Sequence, residues 1–128
     1  MEIERKVKLL KQILEQIREH YVFVEGLRDK SAMEALGCLQ VLTISGNLTI
    51  SCDKVQSLSG TDDTVFVLTD LDQSGDELAL KARDELESRS MKADISTRKT
   101  LGFVLNIRQF EDAKRGYNEL MNEYAKNN

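Results

Sequence analysis

Proline is absent from all 128 residues, so the chain offers no proline-rich linker and no helix interrupted by a proline break. Cysteine and histidine are scarce, with only Cys38, Cys52 and His20. Two thiols and one imidazole make neither a disulfide framework nor a zinc site, and the cysteines read as small buried residues. No stretch approaches the roughly 20 apolar residues of a membrane span. The first residues include Glu2, Glu4, Arg5 and Lys6 and lack the apolar core of a signal peptide, so a cytoplasmic location is expected. An excess of positive charge is missing too. The net charge is −4, which argues against capture of nucleic acid by bulk charge, although a local basic rim remains open.

What is present suits one folded domain. Apolar residues make up 41% and charged residues 31%, a globular balance, and the length is that of a single domain. A chain of this size buries roughly two-thirds of its unfolded surface and needs no disulfide or structural metal to fold.

Periodicity then divides the chain. Ile3, Val7, Leu10, Ile13, Leu14 and Ile17 recur at three- and four-residue steps and predict a helix over 2–19. Tyr21-Val22-Phe23-Val24 reads as a strand covered on both faces, ended by Glu25-Gly26. A short helix is expected from Asp29 or Lys30 to Leu36, with Gly37 closing it. A strand follows over 39–44, a turn at Ser45-Gly46-Asn47, a short helix from Cys52 to Leu58, and a loop over 59–63. Thr64 to Thr69 is the best strand and runs straight into Asp70-Leu71-Asp72. Ser74, with Glu77 three residues on, suggests a capping box opening a helix to about Ser88. A fourth strand is expected over Lys92–Ile95. The last helix is expected over about 107–125, with Glu111 and Asp112 in its first turns. Two apolar stripes, on the first and last helices, suggest self-association as a homodimer through helix packing.

Strand and helix signals alternate, and each crossover is long enough to carry a helix. The expectation is an α/β fold with a central, mostly parallel four-stranded sheet between helices on both faces. Ligands of such sheets bind beyond the carboxyl ends of the strands, near a switch in strand order. Glu25 follows the first strand, and Asp70 and Asp72 follow the third. By pattern alone the two aspartates suit a solvated loop with a helix cap as well as they suit a cation. Clustered carboxylates resist joint ionisation unless a cation joins them, and hard oxygen donors suit Mg²⁺, or Mn²⁺ in its place, rather than zinc. Gly75 permits close backbone approach at the helix start, where free N–H groups favour an anionic oxygen.

Val22-Phe23-Val24-Glu25-Gly26 with Asp29 resembles the first motif of the toprim domain. Val65 to Gly75, a hydrophobic strand running into Asp70-Leu71-Asp72-Gln73-Ser74-Gly75, resembles its second. Toprim domains occur in topoisomerases, bacterial-type primases, recombination-repair proteins and maturation nucleases of the RNase M5 kind. The closer resemblance is to the small toprim-only proteins of archaea, which are largely uncharacterised. It covers about residues 20–97 of a single toprim-like domain, 1–128.

The resemblance implies a three-layer, Rossmann-like fold. It also implies that Glu25, Asp70 and Asp72 sit together, the aspartates coordinating Mg²⁺ and Glu25 serving as general acid/base and as a further ligand. The implied activity is Mg²⁺-dependent phosphodiester chemistry on nucleic acid, of the nuclease or nucleotidyl-transfer kind. The alternative is a non-catalytic toprim module that binds RNA, DNA or a ribonucleoprotein. A third class, a receiver-like domain phosphorylated on aspartate, wants a lysine after a later strand, and Lys92 and Lys99 are awkwardly placed for it. Several expected parts are missing. The flanking domains of the larger enzymes are absent, and Tyr21, Tyr117 and Tyr124 read as packing residues rather than nucleophiles. Candidate substrate or phosphate contacts are Gly26, Arg28, Lys30, Gly46, Asn47 and Gly75. Lys54, Arg98 and Lys99 are further sources of positive charge.

Overall fold

The computed structural model describes residues 1–44, 46–59 and 63–127. The first apolar stripe winds into α1 (Ile3–Arg18), which buries Val7, Leu10, Ile13, Leu14 and Ile17. The apolar run behind it is β1 (Tyr21–Val24), in which Val22, Phe23 and Val24 are fully buried. Next come α2 (Leu27–Ala35), β2 (Val41–Thr43), α3 (Leu48–Ser59) and β3 (Thr64–Val67). The chain ends with α4 (Gln73–Ser88), β4 (Lys92–Asp94), α5 (Thr97–Leu105), a 3₁₀ turn (Phe110–Asp112) and α6 (Ala113–Lys126).

The four strands form one sheet in the order β2-β1-β3-β4, and every neighbouring pair is parallel. Alternation along each strand sends side chains to two cores. Val22, Val24 and Phe66 face α1, α2, α5 and α6, whereas Phe23, Val65 and Val67 face α3 and α4. Cys38 lies in the first core and Cys52 in the second, so both are the buried small residues expected and they cannot pair. Burial pushes each thiol up to about 11. The expected α/β architecture, a parallel four-stranded sheet between helical layers, is therefore the observed one. Among the described residues, no helix is long and apolar enough to cross a membrane.

Element boundaries depart from expectation where a cap outranks the apolar pattern. Helix α2 begins at Leu27 because the Asp29 carboxylate reaches back to accept the Gly26 N–H at 2.9 Å. It ends as expected at Gly37, whose φ of +100° is left-handed, and Arg18 donates through Nε and Nη2 to the Leu36 carbonyl. Asn47 caps α3, taking the Ile50 N–H at 3.1 Å, so that helix starts four residues before Cys52. The cap of α4 is Asp72, not Ser74, and its carboxylate accepts the Gly75 N–H at 2.6 Å. Helix α5 was not anticipated. It closes at Asn106 in the left-handed conformation, and in place of the expected 107–125 helix stand the 3₁₀ turn and a shorter α6. Glu111 and Asp112 thus sit in the turn rather than in the helix. The stripes of α1 and α6 pack into the same core, with Tyr117, Met121 and Tyr124 of α6 left partly buried.

Candidate functional site

After adding β2 on one side of β1, the chain crosses back to add β3 on the other. The carboxyl ends of β1 and β3 therefore flank the switch in strand order, the place where such sheets bind ligands. Glu25 and Asp70 stand at those two ends. They are in contact: the Asp70 N–H donates to Glu25 Oε2 at 2.7 Å across 45 residues of sequence. Asp70 Oδ1 accepts the Phe110 N–H at 3.0 Å, which brings the 3₁₀ turn against the site.

The loop carrying Asp70 is clamped by backbone bonds and by one buried cation. Leu71 N–H donates to the Arg108 carbonyl at 2.7 Å, and Thr69 Oγ1 donates to the Gly75 carbonyl at 2.6 Å. Gly75 is buried, and a β-carbon there would overlap the Asp70 carbonyl oxygen, so only glycine lets α4 start this close to the loop. Arg98 from α5 is 2% exposed. Its guanidinium donates to the carbonyls of Thr69 at 3.0 Å and Asp70 at 2.9 Å, and it pairs with Asp76 in the first turn of α4. That pairing holds the Asp76 carboxyl below its ordinary range.

Asp70 is pushed up to about 6. Burial is the main cause, and the charges of Asp29, Glu25 and Asp72 add to it, while the Phe110 N–H works in the opposite direction. Asp29 is therefore a fourth carboxylate of the site, only 7% exposed on the first turn of α2.

Two recesses open here, separated by Gln109. Glu25, Asp29 and Asp70 share a cavity of about 320 Å³ with Gly26, Leu27, Arg28, Gln109 and Glu111. Asp72 lines the other recess, a cleft of about 460 Å³ with Arg108, Gln109, Asp112 and Arg115. The expected grouping thus divides. Glu25 and Asp70 meet, while Asp72 caps α4 and opens onto the adjoining cleft. Among the described residues, no three His, Cys, Asp or Glu side chains converge as they stand on one ion position. The donor set nevertheless suits Mg²⁺: hard carboxylate oxygens only, with no bond among the described residues to Glu25 Oε1 or Asp70 Oδ2.

The expected contacts sort by position. Gly26 and Arg28 line the carboxylate cavity, and the Arg28 side chain is 89% exposed. Lys30 is half-buried on α2 and does not line that cavity. Gly46 and Asn47 are exposed beyond the edge strand β2, where Asn47 serves α3; Ser45 lies outside the described residues. The Gly75 N–H is taken by Asp72 and is not free for an anion. Arg98 is a clamp inside the protein and not a phosphate contact. The sequence reading quoted Asp29 only within the first motif, not as a carboxylate of the site, and did not give Gln109 or the clamp role of Arg98. Asp29 alone carried a local signal, its place at the third position of a helix opened by glycine.

No family model matches the chain. A UPF0292 protein of Pyrococcus horikoshii is 32% identical over 82% of this chain and 81% of its own. One of Thermococcus gammatolerans is 31% identical over 90% of this chain and 83% of its own. A solved structure of an Aquifex aeolicus protein superimposes with a TM-score of 0.64 at 28% identity, covering 87% of this chain and 97% of that one.

Proposed function

The chain belongs to the UPF0292 family, and for this member we propose Mg²⁺-dependent phosphodiester chemistry on nucleic acid, of the nuclease or nucleotidyl-transfer kind, at the cavity between β1 and β3. The observation that carries the reading is the meeting of Glu25 and Asp70 at the strand-order switch, with Asp70 pushed up to about 6. The resemblance of both motifs to the toprim domain agrees with it. So does a donor set of carboxylates without thiol or imidazole.

In this proposal Asp70 and Glu25, with Asp29 beside them and Asp72 at the adjoining cleft, hold the ion. The ion supplies neutralisation of charge developing on phosphoryl oxygens. Glu25 keeps one oxygen on the Asp70 N–H, which fixes its carboxylate, and uses the other to take or give the proton of the attacking or leaving oxygen. The Phe110 N–H orients Asp70, and the Arg98 clamp fixes the loop from which it projects.

The test is incubation of the purified protein with single- and double-stranded DNA and RNA, in Mg²⁺, Mn²⁺ or EDTA, beside the Glu25→Gln variant. Metal-dependent turnover abolished in the variant supports the proposal. Binding without turnover in either protein replaces it with the non-catalytic module. Turnover unchanged in the variant removes Glu25 from the chemistry.

A further inference from the structure

The proposed chemistry leaves a question of charge: a chain of net −4 must hold a polyanion beside four carboxylates. Two of the expected cations do not serve. Arg98 is buried, and Lys30 is not part of the cavity wall. The segment 106–115 supplies others.

Arg108 and Arg115 both line the cleft on the far side of Gln109 from the carboxylate cavity, and Arg28 lines the near side. Arg108 is tied to the loop itself, donating from Nη2 to the Leu71 carbonyl at 3.2 Å, between Asp70 and Asp72. Its remaining donors are uncommitted among the described residues. Arg115 pairs at 3.4 Å with Asp112 and with Glu119. Such exposed pairs contribute little, so a phosphate that accepts two parallel N–H bonds can displace them. Within the cleft, Asp72 and Asp112 balance the two arginines.

Resting on the function proposed above, we infer that a single strand of nucleic acid crosses the site over Gln109, its phosphates held by Arg108 and Arg115 on one side and by Arg28 on the other. The recesses, of about 320 and 460 Å³, are each of the size that takes one small ligand. Among the described residues no aromatic side chain lines either recess, and the grip inferred here is on phosphate.

The experiment is fluorescence anisotropy with a labelled ten-nucleotide single strand, in Mg²⁺ across a salt series, on the full chain. Variants are Arg115→Ala, Arg108→Ala/Arg115→Ala and the charge-matched control Lys11→Ala/Arg83→Ala. Arg115→Ala alone leaves the loop contacts of Arg108 in place, so it reads affinity without disturbing the fold. The expected result is a loss of affinity of tenfold or more in the double variant, with a smaller loss for Arg115→Ala. The dependence of log affinity on log salt should become shallower by roughly 1.4 in the double variant, and the control should stay near wild type. A wild type that binds and turns over nucleic acid while the double variant matches the control overturns this inference alone. Equal affinity for a hairpin duplex of the same length also overturns it. A wild type that neither binds nor cleaves overturns the inference and the proposed function together.

Discussion

Asp70 holds its proton more tightly in the folded chain than in the unfolded one, because burial and three neighbouring carboxylates all oppose its charge. The folded value is about 6 and the unfolded reference 3.8. Between those values the native state binds more protons than the unfolded state, so stability falls as pH rises through the window. The contribution is fully present below about 4 and lost above about 6. Replacing Asp70 by Asn keeps an oxygen for the Phe110 N–H and removes the charge. Urea unfolding of both proteins should therefore show the variant gaining on wild type as pH rises from 4 to 7. Parallel curves would remove the electrostatic cost assigned to Asp70. In calorimetry the same variant should bind Mg²⁺ more weakly than wild type. At this scale the sequence was informative about residue types and less so about their duties. Asp70 and Asp72 look alike in a strand-to-helix bend. Which of them turns into the cavity depends on which backbone N–H groups lie nearest, and those are set by Gly75 and by Phe110, 40 residues away.

The elements that matter most to the site are the 3₁₀ turn and α5, neither of which periodicity revealed. Thr97–Leu105 buries Arg98 along with Leu101, Gly102, Val104 and Leu105, so a cation sits where an apolar stripe would be read. Two turns of helix with a glycine inside and a buried arginine carry almost no local signal. The β1, β3 and α1 patterns, by contrast, were plain because their apolar residues all face the core. Phe110 is completely buried and anchors the turn whose N–H holds Asp70. Its replacement by Ala should cost about 3–5 kcal/mol in chemical denaturation, from lost burial and the cavity left behind. Phe110→Leu should retain most of that stability. If both variants unfold like wild type, the turn is not anchored by this side chain.

The whole molecule is one sheet with a core on each face, and the same three strands, β1, β2 and β3, contribute to both. Neither core can come apart while the other stays packed, because β1 and β3 donate alternate side chains to each. Equilibrium unfolding followed by far-ultraviolet circular dichroism and by tyrosine fluorescence should therefore give a single coincident transition. Separated midpoints would show that the two layers are independent. The alternation of elements made this architecture legible from the sequence. The order β2-β1-β3-β4 was not, since any crossover long enough for a helix can add a strand on either side.

The clasp between Glu25 and Asp70 has a kinetic consequence. It closes across 45 residues, and the bond from Phe110 that finishes the cavity closes across a further 40. Contacts of such long sequence separation are slow to form. A folding intermediate in which the first strands have paired, but the C-terminal turn has not docked, would have a sheet and no completed cavity. Competence to bind a ligand there thus marks the end of folding, and no ligand of this cavity can template the steps before it.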